Sequence, residues 1–154
     1  MRLKIICVDD DVALLQMLRT SLGAVLNADV TPIAGAKEAL AAMSAEQPPN
    51  ILIVDYMMPS VDGLTFLGTV TALPGWDKTC FIMLSAVGSN IKAAALKQKV
   101  YAMLDKPMKP MLLAQSVSAI YQRFCAGEPS PLQEAIDAQQ KAAADAAAAR
   151  RKQR

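Results

Sequence analysis

The sequence predicts a doubly wound α/β fold, in which a five-stranded parallel sheet is flanked by five helices. Up to about residue 125, short apolar runs typical of buried strands alternate five times with longer stretches of helical periodicity. Four of these runs are nearly continuous, as strands covered on both faces should be. The 154 residues are 53% hydrophobic and 19% charged, which indicates a compact globular protein with its own core.

The same patterns assign each element in chain order. The strands are predicted at residues 3–8, 30–34, 51–54, 80–84 and 100–104. The helices are predicted at residues 12–22, 36–45, 63–73, 89–99 and 111–124. Pro32 cannot donate to a sheet ladder, so the second strand is predicted at an edge of the sheet. Asp11 is the predicted N-cap of the first helix, and Gly23 is its predicted stop.

A change of composition after Phe124 divides the chain into a domain at residues 1–125 and a C-terminal segment at residues 126–154. The segment opens with a linker rich in Gly and Pro and continues as an Ala-rich tail with a basic end. Because alanine is the best helix former, this tail is predicted to be partly helical. Only Leu132 and Ile136 give it a hydrophobic stripe, so we expect the helix to fray when it stands alone.

Charge, hydropathy and cysteine content exclude several classes of function. The formal net charge is +2, so the chain as a whole is not expected to be drawn to nucleic acid or to a membrane. Its N-terminus lacks the pattern of a secretion signal, and no window reaches roughly 18 uninterrupted apolar residues, the length of a membrane span. The three cysteines do not suggest a disulfide framework. We therefore expect a soluble, cytoplasmic protein.

Polar residues follow four of the five predicted strands. Asp9 and Asp10 follow the first, Asp55 ends the third, Ser85 ends the fourth and Lys106 lies just past the fifth. Because the carboxyl ends of parallel strands open into a common crevice, these groups are expected to converge. Carboxylates suit a hard cation such as Mg²⁺, while the lysine and the serine suit the oxygens of a transferring phosphoryl group. The remaining carboxylate can then act as a nucleophile that forms an aspartyl phosphate.

In combination, four motifs make residues 1–125 resemble the CheY-like response-regulator receivers. The acidic turn at 8–11, the strand end and turn at 55–63, the triplet at 84–86 and the Lys106-Pro107 pair agree with the family in order and spacing. The resemblance implies a receiver domain with the flavodoxin-like strand order 2-1-3-4-5. It also implies a phosphorylated signalling protein that changes shape, served by a partner histidine kinase or histidine phosphotransfer protein and acting on a downstream protein target.

The resemblance also implies a role for each residue of the site. Asp55 would be the phospho-acceptor, Ser85 would contact the phosphoryl group, and Lys106 would counter its charge. The bond before Pro107 would be cis. The implied ligands of Mg²⁺, or of Mn²⁺ in its place, are Asp9, Asp10, Asp55 and the backbone carbonyl of Met57.

The sequence departs from the family on the strand that precedes Lys106. Many receivers have a Tyr or Phe three residues before that lysine, which swings inward on activation, whereas this chain has Met103. Tyr101 lies two residues earlier and would share the strand face of Met103 if strict alternation held. Met103 and Tyr101 are therefore the candidate switch residues.

Three other functions stay open on the sequence. The chain could be a degenerate, phosphorylation-independent interaction module, or a phosphohydrolase with an aspartyl-phosphate intermediate. Against the phosphohydrolase, Met57 stands where such enzymes need a second acid. A nucleic-acid contact through residues 127–154 has little support, because five Lys and Arg against four acids leave a net charge of about +1.

The expected activity is limited to Mg²⁺-dependent phosphoryl acceptance and slow autodephosphorylation, without a substrate turned over as an enzyme would. The 154 residues include no histidine, so a phosphohistidine donor would have to be another protein.

Overall fold

The computed structural model describes residues 2–43, 47–59, 61–86 and 88–153. Five parallel strands form one sheet in the order β2-β1-β3-β4-β5, which confirms the predicted fold and strand order. The strands are β1 (Leu3–Val8), β2 (Ala28–Ile33), β3 (Ile51–Asp55), β4 (Cys80–Ser85) and β5 (Val100–Asp105). The helices are α1 (Val12–Leu26), α2 (Ala36–Met43), α3 (Gly63–Val70), α4 (Lys92–Lys97), α5 (Pro110–Cys125) and α6 (Pro131–Lys152). Two short 3-10 helices lie at Trp76–Lys78 and Gly88–Ile91.

Helices cover both faces of the sheet, which explains the continuous apolar runs of its central strands. Every residue of β3 and β4 is buried. Alternate residues of β3 enter opposite core layers, so that Leu52 packs with Phe66 of α3 while Ile53 packs with Leu15 of α1 and Val117 of α5. The two core layers hold every strand from both faces of the sheet.

The first half of the chain follows the sequence pattern with two corrections. β2 begins two residues earlier than predicted and ends one residue earlier. As predicted, it lies at the sheet edge, where Pro32 pairs with Cys7. The predicted stop of α1 at Gly23 is wrong: the helix continues to Leu26 and ends at Asn27, whose φ is 52°. The extra turn forms because Val25 and Leu26 continue the apolar stripe into the core.

Other helices are shorter than predicted. α4 spans Lys92–Lys97 within the predicted 89–99, and Lys99 ends this region in a left-handed conformation with a φ of 65°. α3 ends at Val70 instead of residue 73. α2 is helical to Met43, and the predicted residues 44 and 45 lie outside the described residues.

The C-terminal tail is one continuous helix, α6, and is more helical than the sequence predicts. The Ser130 hydroxyl oxygen caps it by accepting from the Gln133 N–H at 2.8 Å, and Leu132 is only 3% exposed because α6 packs against α4 and β5. The division of the chain near residue 125 stays a prediction, since Leu132 joins the core of the preceding residues. Within the described ranges, no helix combines the length and apolar character of a membrane span.

Candidate functional site

The carboxyl ends of four neighbouring strands bring the predicted site residues to one edge of the sheet. Asp9 follows β1, Asp55 ends β3, Ser85 ends β4, and Lys106 follows β5. The backbone N–H of Lys106 donates to the carbonyl oxygen of Ser85 at 3.0 Å, which joins the last two of these strand ends. Ser85 is buried, and the Lys106–Pro107 bond is cis, as the resemblance implies.

Lys106 bridges two buried carboxylates. Its ammonium nitrogen Nζ lies 2.8 Å from Oδ2 of Asp9 and 3.3 Å from Oδ2 of Asp55. Asp9 is 1% exposed and Asp55 is 4% exposed, so both contacts lie where water screens charge weakly. The other oxygen of Asp9, Oδ1, accepts from the Asp11 N–H at 3.0 Å. Both oxygens of Asp9 are therefore held in place.

Three carboxylates meet beside this lysine. One oxygen from each of Asp9, Asp10 and Asp55 lies within 4.8 Å of the others, and Asp10 is exposed to solvent. Three clustered carboxylates with a single nearby ammonium group leave an excess of negative charge, which a divalent cation would offset. Oxygen donors in this number, with one side open to water, fit Mg²⁺, which retains several water ligands.

The crowded site raises the pKa values of two of its residues, Asp55 and Lys106. Burial, followed by repulsion from Asp9, raises the pKa of Asp55, although Lys106 and a backbone hydrogen bond from Met57 oppose the rise. For Lys106, burial disfavours the charged form, but hydrogen bonding and attraction to Asp9 and Asp55 outweigh it and raise the pKa. The lysine is thus held as a cation, while Asp55 is a carboxylate in an unfavourable setting.

The connection between β3 and α3 packs directly against the backbone of Asp55. The Gly63 N–H donates to the Tyr56 carbonyl oxygen at 2.7 Å, and a Cβ at position 63 would lie 2.6 Å from the carbonyl oxygen of Asp55. Asp62 caps α3 by accepting from the Thr65 N–H, and Met57 is 62% exposed. The contact of Gly63 with the backbone of Asp55 was not predicted. Its single signal in the sequence is a glycine that directly follows the N-cap of a helix.

The two candidate switch residues lie on opposite faces of β5, so the expectation that they share a face is wrong. The β4–β5 register shifts where Phe81 pairs with Val100 and Ile82 pairs with Ala102, leaving Tyr101 as an extra residue. Such a bulge interrupts the alternation on which the expectation depends. Met103 packs with the α3–α4 layer of the core, whereas Tyr101 packs with the α1–α5 layer.

Tyr101 is anchored on its own face of β5. Its ring meets the ring of Phe124 edge to face, with centroids 5.2 Å apart. Its hydroxyl donates to the backbone oxygen of Glu128 at 2.9 Å. Tyr101 therefore contacts α5 and the linker to α6, on the face of β5 opposite to Met103.

An apolar rim borders the acidic edge and was not predicted. It is formed by Val12 at the start of α1 and by Met111 and Leu112 in the first turn of α5, all exposed. Between these helix starts lies a cavity of about 190 Å³, lined in part by Leu14 and Met108. The signal in the sequence is the presence of large apolar residues in the first turns of α1 and α5, which begin shortly after the site residues that follow β1 and β5.

Comparison with known proteins agrees with this fold. The model of the response regulator receiver domain matches residues 5–118. A 14.6 kDa protein from the sodA1 3′ region of Leptolyngbya boryana is 33% identical over 132 residues, covering 83% of this chain and 94% of that protein.

Two solved structures are similar as well. The receiver domain of the Francisella response regulator 1452 is 28% identical, with a TM-score of 0.68 over 79% of this chain and 98% of that one. The chemotaxis response regulator CheY4 of Vibrio cholerae is 25% identical, with a TM-score of 0.70 over 77% of this chain and 98% of that one.

The fold and the acidic edge define the class of CheY-like receiver domains. The chain belongs to the response regulator receiver domain family of two-component systems.

Proposed function

We propose that Asp55 accepts a phosphoryl group from a phosphohistidine of a partner histidine kinase or histidine phosphotransfer protein. The observation that carries the proposal is the placement of Lys106 between Asp9 and Asp55, beside the third carboxylate of Asp10. A cation is held where a transferred phosphoryl group would bring new negative charge, next to a carboxylate that can act as a nucleophile.

In the proposed transfer, a carboxylate oxygen of Asp55 attacks phosphorus, an O–P bond forms, and the N–P bond of the phosphohistidine breaks. The second ring nitrogen of the phosphohistidine carries a proton, so the imidazole takes the electron pair of that bond and leaves as a neutral ring. The Lys106 ammonium group stays charged and pairs with the phosphoryl oxygens, and the hydroxyl of Ser85, the last residue of β4, would donate to one of them.

The carboxylates of Asp9, Asp10 and Asp55 and the backbone carbonyl of Met57 would hold Mg²⁺ or Mn²⁺, whose charge neutralises phosphoryl oxygens during transfer. For the chain itself, the important property is that Asp9 is already fixed by Lys106 and by the Asp11 N–H. Little rearrangement of Asp9 is then needed when the cation binds.

The apolar rim supports a protein donor. Val12, Met111 and Leu112 present large exposed apolar side chains beside the acidic edge, where a helical donor would have to dock to bring its phosphohistidine to Asp55. Leu112→Asp should slow transfer from a histidine phosphotransfer protein while leaving labelling by acetyl phosphate unchanged. Equal slowing with both donors would argue against docking at this rim.

We propose acceptance and slow loss of the phosphoryl group, without turnover of a separate substrate. A phosphohydrolase that works through an aspartyl phosphate needs a group to protonate its leaving group. The side chain two residues after Asp55 is the thioether of Met57, which has no proton to give. Turnover of a phosphate monoester by the purified protein would contradict this assignment.

The test is the mass of the intact protein after incubation with acetyl phosphate and Mg²⁺. We expect one added phosphoryl group on the wild-type chain and none on Asp55→Asn or in the presence of a chelator. Asp62→Asn is the matched control, because it makes the same change at an N-cap outside the acidic cluster and should still be labelled. Labelling of Asp55→Asn would show that another residue is the acceptor. No labelling of the wild type by any donor would instead favour a phosphorylation-independent interaction module.

A further inference from the structure

Helix α6 covers the side of the domain formed by α4 and β5. Leu132, in its first turn, is buried in the same core layer as Met103 of β5, which packs partly buried against that layer. Ile136 lies one turn further along α6 and also packs against it. These two residues form the apolar contact of α6. We call the surface of α4 and β5 on which they rest the α6 seat.

The α6 seat reaches to within one residue of the acidic site. A cavity of about 130 Å³ lies beneath the first turn of α6, lined by Lys92 of α4, by Met103 and Asp105 of β5, and by Leu132. Asp105 directly precedes Lys106, whose ammonium group pairs with Asp9 and Asp55. A movement of the end of β5 that follows new charge at Asp55 would therefore change the surface on which Leu132 rests.

The attachment of α6 is small for a helix of 22 residues. Leu132 is its buried residue, and its side chains from Asp137 onward are exposed. Beside Ile136, an open surface groove of about 300 Å³ runs between α4 and α6, so solvent reaches this part of the contact. Because a protein helix is stabilised chiefly by packing of its apolar face, a modest change in the seat is enough to shift the balance between attached and released α6.

Polar contacts guide α6 to the seat. Arg123 of α5 donates to Oε1 of Glu134 at 2.8 Å, to Oε2 of Glu128 at 3.1 Å and to the backbone oxygen of Pro129 at 3.0 Å. The partners of these ion pairs are largely exposed to solvent, so they orient the helix more than they hold it. These polar contacts align the linker and the start of α6 with the domain.

We propose that α6 is an intramolecular cover of the α4–β5 side, and that a phosphoryl group on Asp55 favours its release. The inference rests on the proposed function of Asp55. The link is the end of β5: Met103 supports Leu132, and three residues later Lys106 contacts the acceptor. Release exposes the apolar surface of α4 and β5 together with Leu132 and Ile136.

The experiment uses the full chain with Mg²⁺ and beryllium fluoride, a reversible mimic of a bound phosphoryl group. Methyl NMR of Leu132 and Ile136 reports whether their side chains are seated or in water, independently of whether α6 stays helical. Ile136→Glu provides the released reference for the Leu132 methyl signals, and Ala138→Glu is the matched control on an exposed position of the same helix. We expect bound beryllium fluoride to raise the ratio of released to attached α6 about tenfold, which is a typical allosteric coupling.

The reciprocal measurement is the affinity for beryllium fluoride. Because coupling between two equilibria is mutual, Ile136→Glu should bind beryllium fluoride up to about tenfold more tightly than Ala138→Glu. The full difference is expected when α6 is mostly attached in Ala138→Glu before the ligand binds. Should Ile136→Glu fail to fold, Leu132→Ala serves as a second releasing variant, because it shortens the side chain that anchors α6 in the core, and the Ile136 methyl signal then reports release.

The outcomes separate the two proposals. Bound fluoride, seen by fluorine NMR, with unmoved Leu132 and Ile136 methyl signals would overturn the cover and leave Asp55 as the acceptor. Equal affinity of the Ile136→Glu and Ala138→Glu variants would do the same. Absence of bound fluoride in wild type and variants alike would overturn both proposals, since the cover depends on occupancy at Asp55.

Discussion

The acidic edge and the α6 seat share strand β5 but are stabilised in opposite ways. At the edge, Lys106 holds two buried carboxylates that repel each other, so a few charged groups determine both stability and chemistry. In the α6 seat, one buried leucine and one partly buried isoleucine hold a long helix, and charge contributes little. The difference indicates that single substitutions at the acidic edge should change the free energy of unfolding strongly. Substitutions at the α6 seat should release α6 with little effect on the stability of the core.

Lys106→Ala should have the largest effect, because it leaves Asp9 and Asp55 buried without their cation. We expect the free energy of unfolding at neutral pH to fall by about 3 kcal/mol, as when one partner of a buried ion pair is removed. Urea denaturation measures it, with Lys109→Ala as the control at an exposed lysine nearby. A decrease in unfolding free energy equal to that of the control would mean that charge interactions do not dominate the stability of the acidic edge.

The pH dependence of this deficit follows from the raised pKa of Asp55. When the folded pKa lies above the unfolded value, the ionised carboxylate lowers stability above the folded pKa, and this penalty disappears as pH falls below the unfolded value of about 3.9. Removing Lys106 enlarges that penalty. The difference between wild type and Lys106→Ala should therefore shrink as pH is lowered from about 7 towards about 4.5.

Gly63→Ala should have the next largest effect, because its Cβ would lie 2.6 Å from the carbonyl oxygen of Asp55. We expect a loss of about 2 kcal/mol in unfolding free energy, the usual cost of forcing extra volume into packed structure. Gly68→Ala is the matched control, since its Cβ would meet only the Gln98 side chain at 3.5 Å. Similar stabilities for the two variants would show that the β3–α3 connection adapts freely and does not position Asp55.

Asp55→Asn should stabilise the metal-free protein, because it removes a carboxylate whose ionised form is unfavourable at neutral pH. We expect the Tm in a chelating buffer to rise by about 3 °C. Asp62→Asn should leave the Tm unchanged, because asparagine caps a helix about as well as aspartate. Added Mg²⁺ should then raise the Tm of the wild type more than that of Asp55→Asn, and the reverse order would contradict the proposed ligand set.

Leu132→Ala should have the smallest effect on global stability, although it removes a buried leucine. Its loss is limited by the attachment of α6, so we expect a decrease of about 1 kcal/mol or less in unfolding free energy, below the 2–5 kcal/mol usual for such changes. Methyl NMR should at the same time show Ile136 in water. A loss in the usual range would mean that α6 is an integral part of the core and not a removable cover.

Much of the fold and of the edge could be predicted, because both depend on patterns that are local in sequence. The five strands are apolar runs, and the side chains that end them must meet at one edge of a parallel sheet. Asp9, Asp55 and Lys106 lie together for this reason, without any knowledge of loop geometry.

The failures arise where tertiary contacts override the local pattern. The bulge at Tyr101 reverses a face that alternation assigns, and it depends on the pairing of β5 with β4. The contact of Gly63 with Asp55 and the docking of Leu132 join segments that are distant in sequence. No periodicity within α6 could reveal that its first turn meets a complementary surface on α4 and β5.

The shortness of the linker between α5 and α6 has a further consequence. Only residues 126–130 separate the two helices, so the seat always faces α6 at a high effective concentration, which is in the millimolar range for short flexible tethers. A weak contact is then sufficient to keep α6 in place, and a separate molecule that competes for the same surface must overcome that local concentration. Inserting a few residues at Gly127, where the chain has open space, would tune the threshold for such competition without altering the apolar contact of Leu132 and Ile136.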